Sequence, residues 1–151
     1  MPDFNRKRLR WRGYDYSAPA TYFLTICVEE KRCILCEKDP EIKSPLGEQV
    51  ETLINETVAG YTDIRLLKYV IMPNHIHLLV SIDTANSAPS ITMFVRYFKR
   101  CCTQCLGYSL WQRSFYDHVV RNEQEQEMIW NYIDGNPRQW AADKLNPDYK
   151  E

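Results

Sequence analysis

Histidine is scarce in this chain, and long apolar runs are missing from it. The 151 residues include only 3 histidines, so few imidazoles are available for a metal site. Every aliphatic stretch falls well short of the roughly 18 residues that a membrane helix needs. Charged residues follow Met1 where a secretory signal would have an apolar segment, so we expect no such signal. These absences predict a cytoplasmic protein that does not contact a membrane.

The 6 cysteines, in a chain for which no export signal is expected, indicate reduced thiols. Two pairs have the Cys-x-x-Cys spacing of zinc ligands, Cys33 with Cys36 and Cys102 with Cys105. The gap between the pairs is far longer than the roughly 15–20 residues of compact zinc ribbons. Small buried side chains are therefore the favoured interpretation of these cysteines, with a zinc site as the alternative.

The net charge of −1 hides a segregation of charge along the chain. The first 20 residues form a basic and aromatic arm, and residues 21–151 fit a single domain. Such an arm suits a nucleic-acid backbone with stacking on exposed bases, although a solvated arm without a partner fits the same composition. The basic residues of the arm are Arg6, Lys7, Arg8, Arg10 and Arg12.

The apolar pattern predicts the order β-α-β-β-α-β, followed by one more helix. Strands are expected at 21–28, 64–72, 75 to about 82, and 110–120, and residues 38–47 read as a loop. Helices are expected from 48 to about 60, over 89–107, and from Asn122 as N-cap to Asn136, where Pro137 ends the helix by excluding the αR region at the residue before it. This order predicts an α+β, ferredoxin-like (split βαβ, RRM-like) antiparallel sheet with helices on one face and an added C-terminal helix.

Two histidines lie one residue apart in the third strand, His75 and His77. Alternate residues of a strand share a face, and the two Cα atoms would lie roughly 6.6 Å apart. Both rings could then bind one divalent cation. Buried histidines satisfied by other partners are the simpler alternative.

Tyr132 and Asn136 lie one helical turn apart on the last helix. This spacing places a phenol and an amide oxygen on the same helix face. A tyrosine at such a position is more often part of the packing, but the histidine pair on the sheet favours a shared site.

The helix over 89–107 carries Arg96, Lys99 and Arg100 away from its apolar stripe. These three side chains could contact phosphate groups. A face that is merely solvated by its charges is the alternative.

Three strings of this sequence resemble those of a known family. They are Met72-Pro73-Asn74-His75-Ile76-His77-Leu78-Leu79, Trp111-Gln112-Arg113-Ser114-Phe115-Tyr116-Asp117-His118 and Asn131-Tyr132-Ile133-Asp134-Gly135-Asn136-Pro137. Together with Gly13-Tyr14-Asp15-Tyr16 near the start, they resemble the single-tyrosine HUH transposases, particularly the REP-associated tyrosine transposases. The resemblance covers nearly the whole chain in the same order.

The resemblance implies a palm-like ferredoxin fold and cleavage of single-stranded DNA near hairpins through a covalent 5′-phosphotyrosine. It implies that His75 and His77 bind a divalent metal, that Tyr132 is the nucleophile, and that Asn136 is a third ligand. Gly135 departs from the family pattern, in which Asn is frequent at this position. His118 recurs in the family motif, as a structural or DNA-contacting residue.

The resemblance also implies Mg²⁺ or Mn²⁺ and no nucleotide cofactor, whereas imidazoles with oxygen donors suit Mn²⁺ or Zn²⁺. In some relatives two subunits share each site, so a homodimer is left open. The arm (Arg6, Lys7, Arg8, Arg10, Arg12) and Arg96, Lys99 and Arg100 are the candidate DNA contacts.

Two other functions have to be weighed. A non-catalytic, RRM-like binder of single-stranded nucleic acid would display aromatic side chains where this sheet carries histidines. A phosphoesterase of the histidine-triad type would need a third alternating histidine, and Leu79 occupies that position.

Overall fold

A computed structural model of the chain describes residues 20–83 and 90–151. Its elements are β1 (Ala20–Cys27), α1 (Pro45–Ala59), β2 (Ile64–Ile71), β3 (His75–Ile82), α2 (Ile91–Leu106), β4 (Tyr116–Val119) and α3 (Glu123–Gly135). The predicted order β-α-β-β-α-β-α is confirmed. Nearly all of the predicted arm, residues 1–19, lies outside the described residues, as do residues 84–89.

The four strands form one antiparallel sheet in the order β2-β3-β1-β4. β3 pairs with both β1 and β2, and β1 pairs with β4 at the edge. This is the sheet of the ferredoxin-like fold, so the predicted fold class is confirmed. It places the histidine strand, β3, in the interior of the sheet.

The two faces of the sheet pack against different helices. Alternate residues such as Leu24, Ile76 and Leu78 belong to the large apolar core, which also includes side chains of α1 and α2. The opposite face carries a smaller cluster with the side chains of α3, composed of Phe23, Leu79, Ile129, Tyr132 and Ile133. The third helix therefore covers the face to which the two histidines point.

The start of α1 corrects the predicted loop over 38–47. The helix begins at Pro45, because Ser44 caps it: the Ser44 hydroxyl accepts a hydrogen bond of 3.1 Å from the Gly47 backbone N–H. A Cβ at Gly47 would collide with the carbonyl oxygen of Leu35. The proline and the glycine thus belong to the first helical turn, where the close approach of another backbone segment requires glycine.

The fourth strand is shorter than the predicted 110–120. Only four residues pair with β1, and Trp111 forms an isolated bridge with Val28. The intervening segment folds around an ammonium group, because Lys99 Nζ donates to the carbonyl oxygens of residues 112, 113 and 114 at 2.7–3.2 Å. Carbonyl groups turned toward one cation cannot also form a regular ladder.

The end of α3 is at the predicted position, but the predicted reason is wrong. Asn136, the residue before Pro137, adopts αR geometry with φ −60° and ψ −45°. Pro137 instead occupies the first position of a short 3₁₀ helix, Pro137–Ala142, where its missing N–H has no cost. The chain therefore turns back toward the sheet immediately after α3.

The cysteines only partly match the expectation. Cys36 and Cys102 are buried, and burial raises the pKa of each thiol to about 11. Cys33 and Cys105 are exposed, so the prediction of a buried side chain is wrong for these two. Among the described residues, no helix is long and apolar enough to cross a bilayer.

Candidate active site

The two histidines are fully buried on the face of β3 that α3 covers. His77 lies opposite Thr25 of β1, and His75 lies opposite Cys27. The two ring centroids are 4.7 Å apart. The predicted convergence of both imidazoles on one face is therefore what the alternation of the strand produces.

Hydrogen bonds orient both rings through Nδ1. His77 Nδ1 lies 2.9 Å from Thr25 Oγ1, and His75 Nδ1 lies 2.8 Å from Asn74 Oδ1. The Asn74 amide nitrogen donates to the carbonyl oxygens of Lys31 and Leu145, so its oxygen is the acceptor and His75 Nδ1 is the donor. Neutral His75 is therefore the tautomer with its proton on Nδ1 and its lone pair on Nε2. In this tautomer Nε2 is available to bind a metal.

The predicted nucleophile lies on the same side of the sheet. Tyr132 is buried, and its ring centroid is 5.6 Å from that of His77. Phe23 of β1 packs edge-to-face against Tyr132 at 6.2 Å and also contacts His77 at 4.9 Å between ring centroids. The structure thus brings the phenol and the imidazole pair together within one chain.

Asn136, the predicted third ligand, lies at the end of α3. It is fully buried, and neither atom of its amide group has a hydrogen-bond partner among the residues that the structure describes. An unsatisfied buried amide costs about 1–3 kcal/mol, so a ligand that engages it would stabilise the protein. A divalent cation fits this requirement, since amide oxygen and imidazole nitrogen are both ordinary metal ligands.

Within the described part of the chain, no three His, Cys, Asp or Glu side chains form a ready cluster for a metal ion. The predicted ligand set combines the two imidazoles with the amide of Asn136, which is not one of these four residue types. The sequence-based ligand set remains a prediction.

Two polar contacts hold α3 against the sheet. At its start, His118 Nε2 of β4 lies 2.9 Å from Glu125 Oε1, which also accepts a hydrogen bond from the backbone N–H of Arg121. At its end, Lys68 of β2 forms an ion pair of 2.9 Å with Asp134, and this hydrogen bond lowers the pKa of Asp134. His118 thus has a structural position, linking an edge strand to the helix that carries Tyr132.

The sequence interpretation missed Asp143. This aspartate follows the 3₁₀ helix Pro137–Ala142 and is fully buried, with its Oδ2 3.7 Å from His75 Nε2. No motif or periodicity marks it, because its position depends on the turn that follows α3. The only available signal was an aspartate a few residues beyond the predicted tyrosine helix.

Of the predicted DNA contacts, the three on α2 are not brought to this site. Arg6, Lys7, Arg8, Arg10 and Arg12 lie outside the described residues. Arg96, Lys99 and Arg100 lie on α2, which packs on the other face of the sheet. Arg96 and Lys99 line an open cleft of about 320 Å³ together with Arg113 and Phe115.

Comparisons with known proteins agree with this architecture. An uncharacterised protein of Haemophilus influenzae is 26% identical over an alignment that covers 95% of this chain and 94% of the relative. A second Haemophilus influenzae protein, provisionally named a REP-associated tyrosine transposase, is 26% identical over 82% of this chain and 73% of its own length.

Two solved structures share the fold. A REP-associated tyrosine transposase bound to a REP hairpin has a TM-score of 0.69 and 21% identity, covering 86% of this chain and 73% of its own. A Deinococcus radiodurans protein, provisionally described as a transposase, has a TM-score of 0.51 and 20% identity, covering 83% and 95%. The sequence model of the IS200-like transposases matches residues 30–136, which include the histidine pair, Tyr132 and Asn136. The chain therefore belongs to the IS200-like transposase family, as its motifs predicted.

Proposed function

We propose that this transposase-family protein is a metal-dependent DNA strand transferase that cleaves and rejoins single-stranded DNA near hairpins through Tyr132. The observation that carries the proposal is the packing of the Tyr132 ring 5.6 Å from that of His77, on the one face where both histidines are buried. A tyrosine in this position can attack a phosphate that is held by the same side chains.

His75, His77 and Asn136 are the proposed metal ligands. These residues would hold Mg²⁺ or Mn²⁺, which would supply Lewis-acid stabilisation of charge on a phosphate oxygen. The protein orients the imidazole rings, because Thr25 and Asn74 contact their Nδ1 atoms. In metal enzymes, ligating histidines are commonly oriented by such hydrogen bonds at the nitrogen that does not bind the metal. Burial of both rings excludes bulk water from their surroundings.

The proposed chemical step is a transesterification. The phenol oxygen of Tyr132 forms a bond to phosphorus, and the bond between phosphorus and the 3′-oxygen breaks. The phenol loses its proton during attack, and the leaving 3′-oxygen gains one. The adduct retains a phosphodiester bond, so the reverse reaction with another 3′-hydroxyl rejoins DNA without a nucleotide cofactor.

Hairpin DNA is the proposed substrate, since the solved structure with the same fold holds a REP hairpin. The arm (Arg6, Lys7, Arg8, Arg10 and Arg12), Arg96, Lys99 and Arg100 are the proposed phosphate contacts. The ammonium group of Lys99 donates hydrogen bonds to three backbone carbonyl groups. Arg96 and Arg100 are therefore the preferred candidates on α2 for phosphate contacts. The proximity of Tyr132 to His77 within one chain supports a site built from a single copy, with a homodimer as the alternative.

Denaturing electrophoresis after incubation with Mn²⁺ and hairpin oligonucleotides carrying single-stranded flanks tests the proposal. We expect a covalent protein–DNA adduct with the wild-type protein and none with Tyr132→Phe, which keeps the ring packing. Tyr116→Phe, on β4, is the matched control and should retain the adduct. An adduct that persists in Tyr132→Phe would refute the assigned nucleophile, and hairpin binding without any adduct would favour the non-catalytic binder.

A further inference from the structure

We propose that Asp143 is an anionic ligand of the metal site, beside Nε2 of His75. This inference rests on the proposed metal-dependent function, and it adds a residue that neither the sequence motifs nor the family resemblance assigned. Its basis is the position of a buried carboxylate beside the metal-binding nitrogen of a histidine.

The burial of Asp143 demands a cationic or hydrogen-bonding environment. Its side chain is fully buried, and a carboxylate taken out of water is strongly destabilised unless it is paired or coordinated. One oxygen, Oδ1, accepts a hydrogen bond of 2.8 Å from the backbone N–H of Leu145. The other, Oδ2, faces His75 Nε2.

The distance between Asp143 Oδ2 and His75 Nε2 favours binding of one cation by both atoms over a direct hydrogen bond between them. At 3.7 Å the two atoms lie beyond the usual hydrogen-bond range of about 2.7–3.2 Å. Ligand atoms lie about 2.0–2.2 Å from Mg²⁺ or Zn²⁺, so two ligands of one ion can be up to about 4.4 Å apart. One cation can therefore bind both atoms without displacement of either.

The segment that carries Asp143 is fastened to the histidine strand. The Asn74 side chain donates to the carbonyl oxygen of Leu145 at 2.8 Å, and its own oxygen accepts from His75 Nδ1 at 2.8 Å. Trp140 lies with its ring 6.1 Å from the His75 ring. One amide group thus fixes both the orientation of His75 and the chain two residues beyond Asp143, which holds the carboxylate beside the imidazole.

The charge balance supports this role. His75, His77 and Asn136 are neutral donors, so a divalent cation bound by these three alone would retain its full charge in a buried site. A carboxylate partly neutralises that charge, and oxygen donors suit Mg²⁺ and Mn²⁺. His75 and Asp143 have the spacing of a ligand pair, whereas His75, His77 and Asp143 do not form a closed cluster in the described structure. Asn136 is the fourth donor.

Binding of Mn²⁺ to the metal-free, full-length protein provides the test, measured from the free Mn²⁺ signal in electron paramagnetic resonance. We expect Asp143→Asn, which retains an acceptor for the Leu145 N–H, to raise the Kd for Mn²⁺ at least tenfold. Asp148→Asn removes the same charge from an exposed position on the same segment and should leave the Kd unchanged. Melting curves in EDTA establish that each variant is folded.

The outcomes separate this inference from the proposed function. An unchanged Kd in Asp143→Asn, with binding lost in His75→Ala, overturns the role of Asp143 and leaves the histidine site standing. No Mn²⁺ binding by the wild-type protein, with no adduct on any hairpin, overturns both.

A substitution that changes metal preference covers the case in which Asp143→Asn does not fold. Thiolates favour soft cations, so Asp143→Cys should bind Cd²⁺ more tightly than the wild-type protein and should add a thiolate-to-metal charge-transfer band in the ultraviolet. Lys144→Cys, at the exposed neighbouring position, is the control for the protein's own cysteines. Equal Cd²⁺ binding by the two cysteine variants would contradict the proposal.

Discussion

The two faces of the sheet are built on different principles. The face toward α1 and α2 is covered almost entirely by apolar side chains of a single large core. The face toward α3 has a small apolar cluster and a group of fully buried polar side chains, His75, His77, Asn136 and Asp143. The face toward α1 and α2 therefore contributes most of the apolar packing. The face toward α3 has less apolar packing because it carries the candidate site, and polar contacts help to hold α3 against it.

Adjacent leucines on β3 provide the sharpest test of this contrast. Leu78 and Leu79 are both fully buried, but they face the large core and the α3 cluster respectively. Leu78→Ala should lower the free energy of unfolding by about 2–5 kcal/mol, because the surrounding core cannot close the cavity. Leu79→Ala should cost less, near the lower end of that range, because α3 can shift into the space. Urea unfolding of the two variants measures the difference.

Adduct formation should show the reverse order. At a temperature where both variants are folded, Leu78→Ala should retain the Tyr132 adduct, and Leu79→Ala should lose most of it because α3 changes position. Equal losses of stability together with equal adduct yields would show that the two faces do not divide these tasks.

The contrast also explains which parts of the structure could be predicted from sequence. Period-two alternation placed Ile76 and Leu78 on one face and the two histidines on the other, because that pattern is a local property of a strand. The start of β4 could not be predicted, because the contacts of Lys99 with residues 112–114 are tertiary and override the β propensity of the segment. Asp143 could not be predicted for the same reason: only the turn after Pro137 and the contacts of Asn74 bring it to His75.

Local rules also failed where two of them competed. Proline disfavours αR at the preceding residue, yet Asn136 is αR because Pro137 begins a 3₁₀ helix directly after α3. Likewise Pro45 and Gly47 suggested a loop, but Ser44 makes them the first turn of α1. In each case a capping or N1 role outweighed the breaker signal.

The contact between His118 and Glu125 predicts a pH-dependent stability on the α3 face. Burial raises the pKa of Glu125, but hydrogen bonds from the Arg121 N–H and from His118 outweigh this effect, so the pKa lies below its ordinary value of 4.5. The lowered pKa means that ionised Glu125 stabilises the fold above about pH 4.5, and that this contribution is lost as the pH falls through the lowered value.

Glu125→Gln should therefore reduce the pH dependence of stability below pH 4.5. The measurement is the urea midpoint at neutral pH and again in the acid range, compared with Glu127→Gln, an exposed glutamate on the same helix. We expect the wild-type protein and Glu127→Gln to lose more stability on acidification than Glu125→Gln. Identical slopes for all three proteins would remove Glu125 from the set of contacts that hold α3.

Replacing Gly135, at the end of α3, with alanine should stabilise the protein. A Cβ there would meet only Gln139 Nε2 at 3.9 Å, and its φ is not in the left-handed region, so alanine fits without strain. Gly135→Ala should stabilise the protein by about 0.5–1 kcal/mol, because glycine loses more backbone freedom on folding. The expected rise in Tm is about 1–4 °C.

Gly107→Ala is the control, because Gly107 has φ 84° and open space where a Cβ would lie. This substitution should lower Tm, since alanine is strained in the left-handed conformation even where there is room for its side chain. A stiffer end of α3 also holds Asn136 more firmly, so Mn²⁺ affinity should not fall in Gly135→Ala; a weaker affinity would show that the site needs the freedom that glycine gives the end of the helix.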